Sequence, residues 1–214
     1  MQVISFEGIG GVGKSTIANR VTQEFLKNGQ KVLLFKPITR QRLQDALGVF
    51  SGKKERVWVC KLPYVPPRVE GLCYLAFLIK DNEEIFKVQN SYDLVIFDRY
   101  IDTIAAHVIA RNNILRRKLS FRSYYSWFRK IYEKEIKMPG KTLVLDVDLN
   151  IAEQRSVNRE NKKYTDKDRE GFKIIKKFYK FLAKNEPNRF CFIDANKSIE
   201  QVTKEVIAVL QNVR

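Results

Sequence analysis

The sequence predicts an α/β protein with a five-stranded parallel sheet and helices packed on both faces. Three observations carry this. Five short apolar runs lack the polar alternation of a half-exposed strand, longer helical patterns separate them, and a glycine-rich turn joins the first run to the first helix.

Gln2 to Phe6 is the first strand. The turn after it, FEGIGGVGKST at residues 6 to 16, fits G-x-x-x-x-G-K-[ST] through Gly8, Gly13, Lys14 and Ser15, which is a P-loop. Gly8, Gly10, Gly11 and Gly13 let successive backbone N–H groups turn inward on a polyphosphate, along the cradle that runs through Val12 to Thr16. Lys14 supplies a point charge to the β- and γ-phosphates, and the Ser15 hydroxyl can ligate Mg²⁺. Ile17, Val21 and Phe25 repeat every four residues as one face of a helix ending near Asn28-Gly29.

Lys31 to Phe35 reads as the second strand, closed by Pro37. Arg40 to Ser51 is an expected helix, and Gly52 to Arg68, with Pro63, Pro66 and Pro67, an expected long functional loop. A helix follows from Glu70 to Gln89. Leu94 to Phe97 is the third strand and runs straight into Asp98-Arg99-Tyr100. Helical pattern continues over Ile101 to Asn112 and again over Phe121 to Ile136. The second stretch carries Tyr124, Tyr125, Trp127, Phe128 and Tyr132, whose helical spacing is that of core rather than of a base-stacking platform.

Thr142 to Leu145 is the fourth strand, ending at Asp146, and Asn150 is placed to cap a helix from Ile151. Arg159 to Asp168 is polar and charged without apolar periodicity. From Arg169 to Asn185 a helix turns Phe172, Ile175, Tyr179 and Leu182 inward and leaves Lys173, Lys176, Lys177, Lys180 and Lys184 as a solvated face. Phe190 to Ile193 is the fifth strand. Ser198 to Gln201 forms a capping box before a last helix with Val202, Val206, Val209 and Val213 inward.

The 214 residues fit a single domain, 1–214. The chain enters strand pattern at once without a basic-then-apolar leader, and no apolar run is long enough to cross a bilayer, so a cytoplasmic protein is expected, with no membrane partner. Cys60, Cys73 and Cys191 are too few and too scattered for a disulfide framework or a zinc site. His107 is the only histidine, which excludes Ser-His-Asp catalysis and histidine metal sites. The net charge of +16, from 40 Lys and Arg against 24 Asp and Glu, calls for an anionic partner. It suits a field that steers nucleotides inward, and would equally suit a nucleic-acid stripe.

In such a sheet ligands bind at the carboxyl edge. That edge should collect the P-loop, Pro37 to Arg40, Asp98-Arg99, the segment after Asp146, and Asp194 to Lys197. Asp98 can hold Mg²⁺ or its water there, and the planar fork of Arg99 suits an acceptor phosphate. Phosphoryl transfer also needs a cation that arrives when water is expelled. Arg159, Lys162 and Lys163 can supply it.

The run FEG-x-x-G-x-G-K-S-T, the FDRY after the third strand, LVLDVDLNIAEQR from Leu143 and FYKFLAKNEPNRFCFIDANKSIEQV from Phe178 together resemble the thymidylate kinase family over nearly the whole chain. The resemblance implies an α/β P-loop NTPase three-layer sandwich with a basic lid at about 155–168. It implies ATP-dependent transfer to a nucleoside monophosphate, dTMP to dTDP, with ATP and Mg²⁺, and a homodimer. Lys14, Asp98, Arg99 and Arg159 would be catalytic. Lys14 and Ser15 would serve ATP–Mg²⁺, with Ser15 and Asp98 at the metal. Arg155 and Arg159 would reach the triphosphate, and Ala195 to Lys197 would border the adenine. Pro37, Arg40, Phe77, Arg99 and Thr103 would serve the acceptor.

The chain departs from the family pattern in five places, one of them Thr103 at a usual serine. Gly10 replaces a carboxylate near the acceptor sugar, and Gly11 stands where some members carry an arginine. Lys80-Asp81 replaces an arginine at the base edge, and His107-Val108 a Tyr-Gln pair. Two alternatives therefore stand beside dTMP: a kinase acting on another nucleotide or nucleoside, and a non-catalytic P-loop module that binds nucleic acid. The second leaves the Asp98-Arg99 pair and the lid without a use.

Overall fold

The five apolar runs form one all-parallel sheet in the order β2-β3-β1-β4-β5, comprising β1 (Gln2–Glu7), β2 (Val32–Phe35), β3 (Leu94–Asp98), β4 (Lys141–Asp146) and β5 (Phe190–Asp194). The computed structural model describes residues 1–37, 66–115 and 119–211. The helix expected at Arg40 to Ser51, nearly all of the Gly52 to Arg68 loop, Arg40 itself, Cys60 and Val213 lie outside the described residues.

Among the described residues there are seven α-helices: α1 (Lys14–Lys27), α2 (Pro67–Lys87), α3 (Ile101–Ile114), α4 (Phe121–Tyr132), α5 (Leu149–Glu160), α6 (Asp166–Asn185) and α7 (Ile199–Gln211). The chain leaves β1 toward β2 on one side and crosses from β3 past β1 to β4 on the other. Right-handed crossovers in opposite directions put their helices on opposite faces. Accordingly α1 and α7 pack together over one face, while α3 packs against α2, α4 and α6 over the other. β1 is thus central, and its carboxyl end is the point where the strand order reverses. Ile4, Phe6, Val95, Ile96, Phe97 and Leu143 in these central strands are fully buried.

Four element boundaries differ from expectation, each for a local reason. Helix α2 begins at Pro67, so Pro67 and Arg68 belong to its first turn, where a proline's missing N–H costs nothing. Helix α4 ends at Tyr132 and Ile136 lies beyond it in a turn, though Tyr124, Tyr125, Phe128 and Tyr132 are core as expected and Trp127 is partly exposed. Asp148 rather than Asn150 caps α5, accepting from the Asn150 N–H at 2.8 Å. The charged stretch from Arg159 is helical at both ends: α5 runs through Glu160 to a left-handed Asn161, and Thr165 with Asp168 forms a capping box that opens α6. Only residues 161–165 lie between the two helices. On α6, Lys176 is not simply solvated, since it pairs with Asp146 at 2.7 Å and donates to the Val147 carbonyl.

Candidate active site

The P-loop closes between β1 and α1. Gly8 sits at φ 133°, and a Cβ there would lie 2.6 Å from the Leu145 carbonyl oxygen of β4, so the loop can pass that strand only as glycine. Lys14 opens α1 and folds back across the loop, donating to the Gly8 carbonyl at 2.9 Å and the Ile9 carbonyl at 2.5 Å. It is buried. Desolvation, then the neighbouring Arg99 charge, holds its ammonium well below the usual lysine range. An incoming phosphate would relieve both effects.

β3 is hydrogen-bonded to β1 in a register that pairs Phe6 with Asp98, so the acidic end of β3 arrives beside the P-loop. The Ser15 hydroxyl donates to Asp98 Oδ2 at 2.5 Å. Asp98 is 3 % exposed and its other oxygen, Oδ1, is buried without a partner. A hard oxygen pair with one orphaned carboxylate oxygen fits a Mg²⁺ ion. Lys36, at the end of β2, brings its ammonium 3.1 Å from Ser15 Oγ and 3.2 Å from Asp98 Oδ2. The sequence assigns Lys36 no role, because nothing in its immediate surroundings announces that β2 aims it at Ser15 and Asp98.

Arg99 follows Asp98 at φ 74°, a left-handed conformation that a non-glycine residue holds only when its surroundings impose it. Its N–H donates to the Phe6 carbonyl at 3.1 Å, and its guanidinium reaches to 3.4 Å from the Gly8 carbonyl oxygen. Lys14 and Arg99 therefore converge on one oxygen of the loop.

Beneath them lies Glu7, fully buried and unremarked in the sequence because a polar residue at a strand end is ordinary. Its carboxylate accepts from the Tyr100 N–H at 2.9 Å, the Tyr179 hydroxyl at 3.1 Å and the Thr103 hydroxyl. Burial and then the Asp102 carboxylate push its carboxyl up to about 7, against the opposing pull of the Thr103 and Tyr100 hydrogen bonds and of Arg99. Thr103, expected to face the acceptor, is 2 % exposed, and its hydroxyl is committed to Glu7 behind the site. Pro37 is buried at the end of β2 and Phe77 is half-buried on α2.

On the donor side a cleft of about 340 Å³ is lined by Gly11, Val12, Gly13, Thr16 and Ile17 from the P-loop side and by Arg155, Arg159, Ala195, Lys197, Ser198, Ile199 and Val202 opposite. Its size and its mixture of apolar wall and cations suit a nucleotide. Arg155 is fixed across it, donating to the Ala195 carbonyl at 3.0 Å and the Val12 carbonyl at 3.5 Å. Arg159 is largely exposed and pairs with Glu160 at 2.8 Å.

Tyr164, also unremarked in the sequence, reaches from between α5 and α6 to donate to the Gly10 carbonyl at 2.9 Å, its ring edge-on to Phe172. A Cβ on Gly11, at φ 75°, would run into the Tyr164 hydroxyl and the Ala152 carbonyl, which gives a steric reason for the missing arginine. At Gly10 a Cβ would meet only Phe172, in ordinary contact at 3.5 Å. Of the other departures, Lys80 is exposed and pairs with Glu84 at 3.7 Å, Asp81 is buried, His107 is exposed and Val108 is buried.

A doubly covered parallel sheet, a phosphate cradle at its reversal point and an acid-plus-guanidinium pair on the adjacent strand define a P-loop phosphotransferase. The thymidylate kinase family model matches residues 6–206. The chain belongs to the thymidylate kinase family, whose members are nucleoside monophosphate kinases. It is 29 % identical to a thymidylate kinase of Mycoplasma capricolum over 97 % of this chain and 93 % of that protein. For a thymidylate kinase of Staphylococcus epidermidis the figures are 28 %, 94 % and 93 %, and for one of Thermoanaerobacter 26 %, 97 % and 96 %. Among the described residues no helix is long and apolar enough to cross a membrane.

Proposed function

We propose that the protein transfers the γ-phosphoryl group of ATP to dTMP, giving dTDP and ADP. An oxygen of the acceptor phosphate attacks the γ-phosphorus, and the bond from that phosphorus to the β–γ bridging oxygen breaks. The observation that carries this is the meeting of Lys14 and Arg99 at the Gly8 carbonyl. Two cations, one from the start of α1 and one from the end of β3, can each hold one of two anions that would otherwise repel one another.

Lys14 and the P-loop amides would hold the donor phosphates, Arg99 the acceptor phosphate, and Arg155 the donor against Ala195. Ser15 and Asp98 would hold Mg²⁺, which supplies charge neutralisation between the β- and γ-phosphates. Residues 155–168 would serve as the lid, Arg159 turning from Glu160 to the transferring group as water leaves. Cys73 and Cys191 are free thiols, which suits work in the cytoplasm.

A coupled assay across dTMP, dUMP, dCMP, dGMP, their ribose forms and thymidine tests this. The highest kcat/KM should fall on dTMP, and thymidine should show no turnover because Arg99 would have no phosphate to hold. Turnover of thymidine, or preference for another monophosphate, would displace dTMP. DNA binding without turnover, weakening steeply with salt, would displace the kinase altogether.

A further inference from the structure

The Glu7 carboxylate has no opening to a ligand, yet it joins three elements beneath the site. It ends β1. Tyr100 and Thr103 meet it from the start of α3, and Tyr179 from α6. Tyr100 is the residue after Arg99, and Phe6, whose carbonyl accepts the Arg99 N–H, is the residue before Glu7. Two consecutive residues of β1 thus grip two consecutive residues after β3, and the left-handed turn at Arg99 lies between those grips. A buried carboxylate is a costly way to fill space, since an apolar side chain of similar volume packs as well, so what it adds here is orientation.

We infer that Glu7 is a positioning residue: by accepting the Tyr100 amide hydrogen it holds Arg99 in its left-handed conformation and aims the guanidinium at the acceptor phosphate. The inference rests on the assignment of that phosphate to Arg99. Glu7 touches no substrate, and its whole effect passes through the next strand's end.

The test compares acceptor KM and ATP KM in Glu7→Met, Glu7→Gln, Arg99→Met and the Glu7→Met/Arg99→Met double variant, with dTMP as acceptor. Arg99→Met and Glu7→Met should each raise acceptor KM at least about tenfold while ATP KM stays within about twofold. Glu7→Gln keeps an oxygen for the Tyr100 amide and should stay within about threefold of the parent. The double variant should be no worse than Arg99→Met alone, because Glu7 then has nothing left to aim. If Glu7→Met does not fold, Tyr179→Phe, which removes one of the donors steadying the carboxylate, should raise acceptor KM by about threefold with ATP KM unchanged.

Effects of Glu7→Met and Arg99→Met that multiply would overturn the inference. So would an acceptor KM unmoved by Glu7→Met or by Tyr179→Phe while Arg99→Met raises it. An acceptor KM unmoved by Arg99→Met would overturn the assignment of the phosphate itself, and the inference with it.

Discussion

The Tyr164 hydroxyl donates to the Gly10 carbonyl at 2.9 Å, joining the segment between α5 and α6 to a P-loop 154 residues away in sequence. The bond takes up a carbonyl of the cradle and leaves its amides out of the contact. It ties residues 161–165 to the loop without any side chain from the loop itself.

Removing this hydroxyl should loosen the segment between α5 and α6 and leave the sheet intact. For Tyr164→Phe we expect the loss of one neutral hydrogen bond, about 1 kcal/mol, and so a roughly fivefold faster exchange of amide hydrogens over residues 159–168. Hydrogen-exchange mass spectrometry reads this directly. Unchanged exchange would mean that the Phe172 contact and the Tyr164 N–H bond to Glu153 seat the segment without the hydroxyl.

Lys14→Met should lower kcat by about a thousandfold or more, because the donor phosphates lose their point charge where charge neutralisation is the main catalytic effect. Steady-state assays at saturating ATP check it, and circular dichroism should show the fold unchanged, since a buried ammonium with a depressed pKa adds little to stability.

If Ser15 and Asp98 hold Mg²⁺ as proposed, Lys36 would compete with it for their oxygens. Lys36→Met should lower the free Mg²⁺ concentration that gives half-maximal rate by about threefold, in line with the modest worth of a half-exposed ion pair. Asp98→Asn should raise it by about tenfold or more. Magnesium titrations at fixed ATP separate the two, and shifts in the same direction would remove Lys36 from the metal site.

Glu7 should make stability depend on pH in a definite sense. Its carboxyl is raised to about 7 in the folded protein, from 4.5 in the unfolded chain. Between those values the folded state binds more protons, so the contribution is fully present below pH 4.5 and lost as pH rises through 7. Asp102 of α3, Arg99 and Lys14 of α1 face the same group, and Asp102 reinforces the rise while Arg99 opposes it. Urea midpoints of the parent should therefore fall between pH 5 and pH 8 by more than those of Glu7→Gln. Equal slopes would show that the carboxylate stays ionised throughout.

The sheet, the order of its helices, the P-loop and the Asp98-Arg99 pair were all legible in the sequence. Each is announced by neighbours in the chain: glycines at fixed spacing, or an apolar run that ends in a charge. Glu7 was not, because its meaning depends on Thr103 and Tyr179, which lie 96 and 172 residues away and meet it only once α3 and α6 cover the sheet. Tyr164 and Lys36 escaped for the same reason. The charged stretch from Arg159 to Asp168 misled in the opposite direction: its Thr165-to-Asp168 capping box is a local signal that its polarity obscured.

The pairing of Phe6 with Asp98 has a metric consequence. Neighbouring strands stand about 4.8 Å apart wherever their amides pair. Arg99 stands one residue and Gly8 two residues beyond that pair, so the carbonyl on which Lys14 and Arg99 converge is placed by the spacing of β1 and β3 before either side chain reaches it.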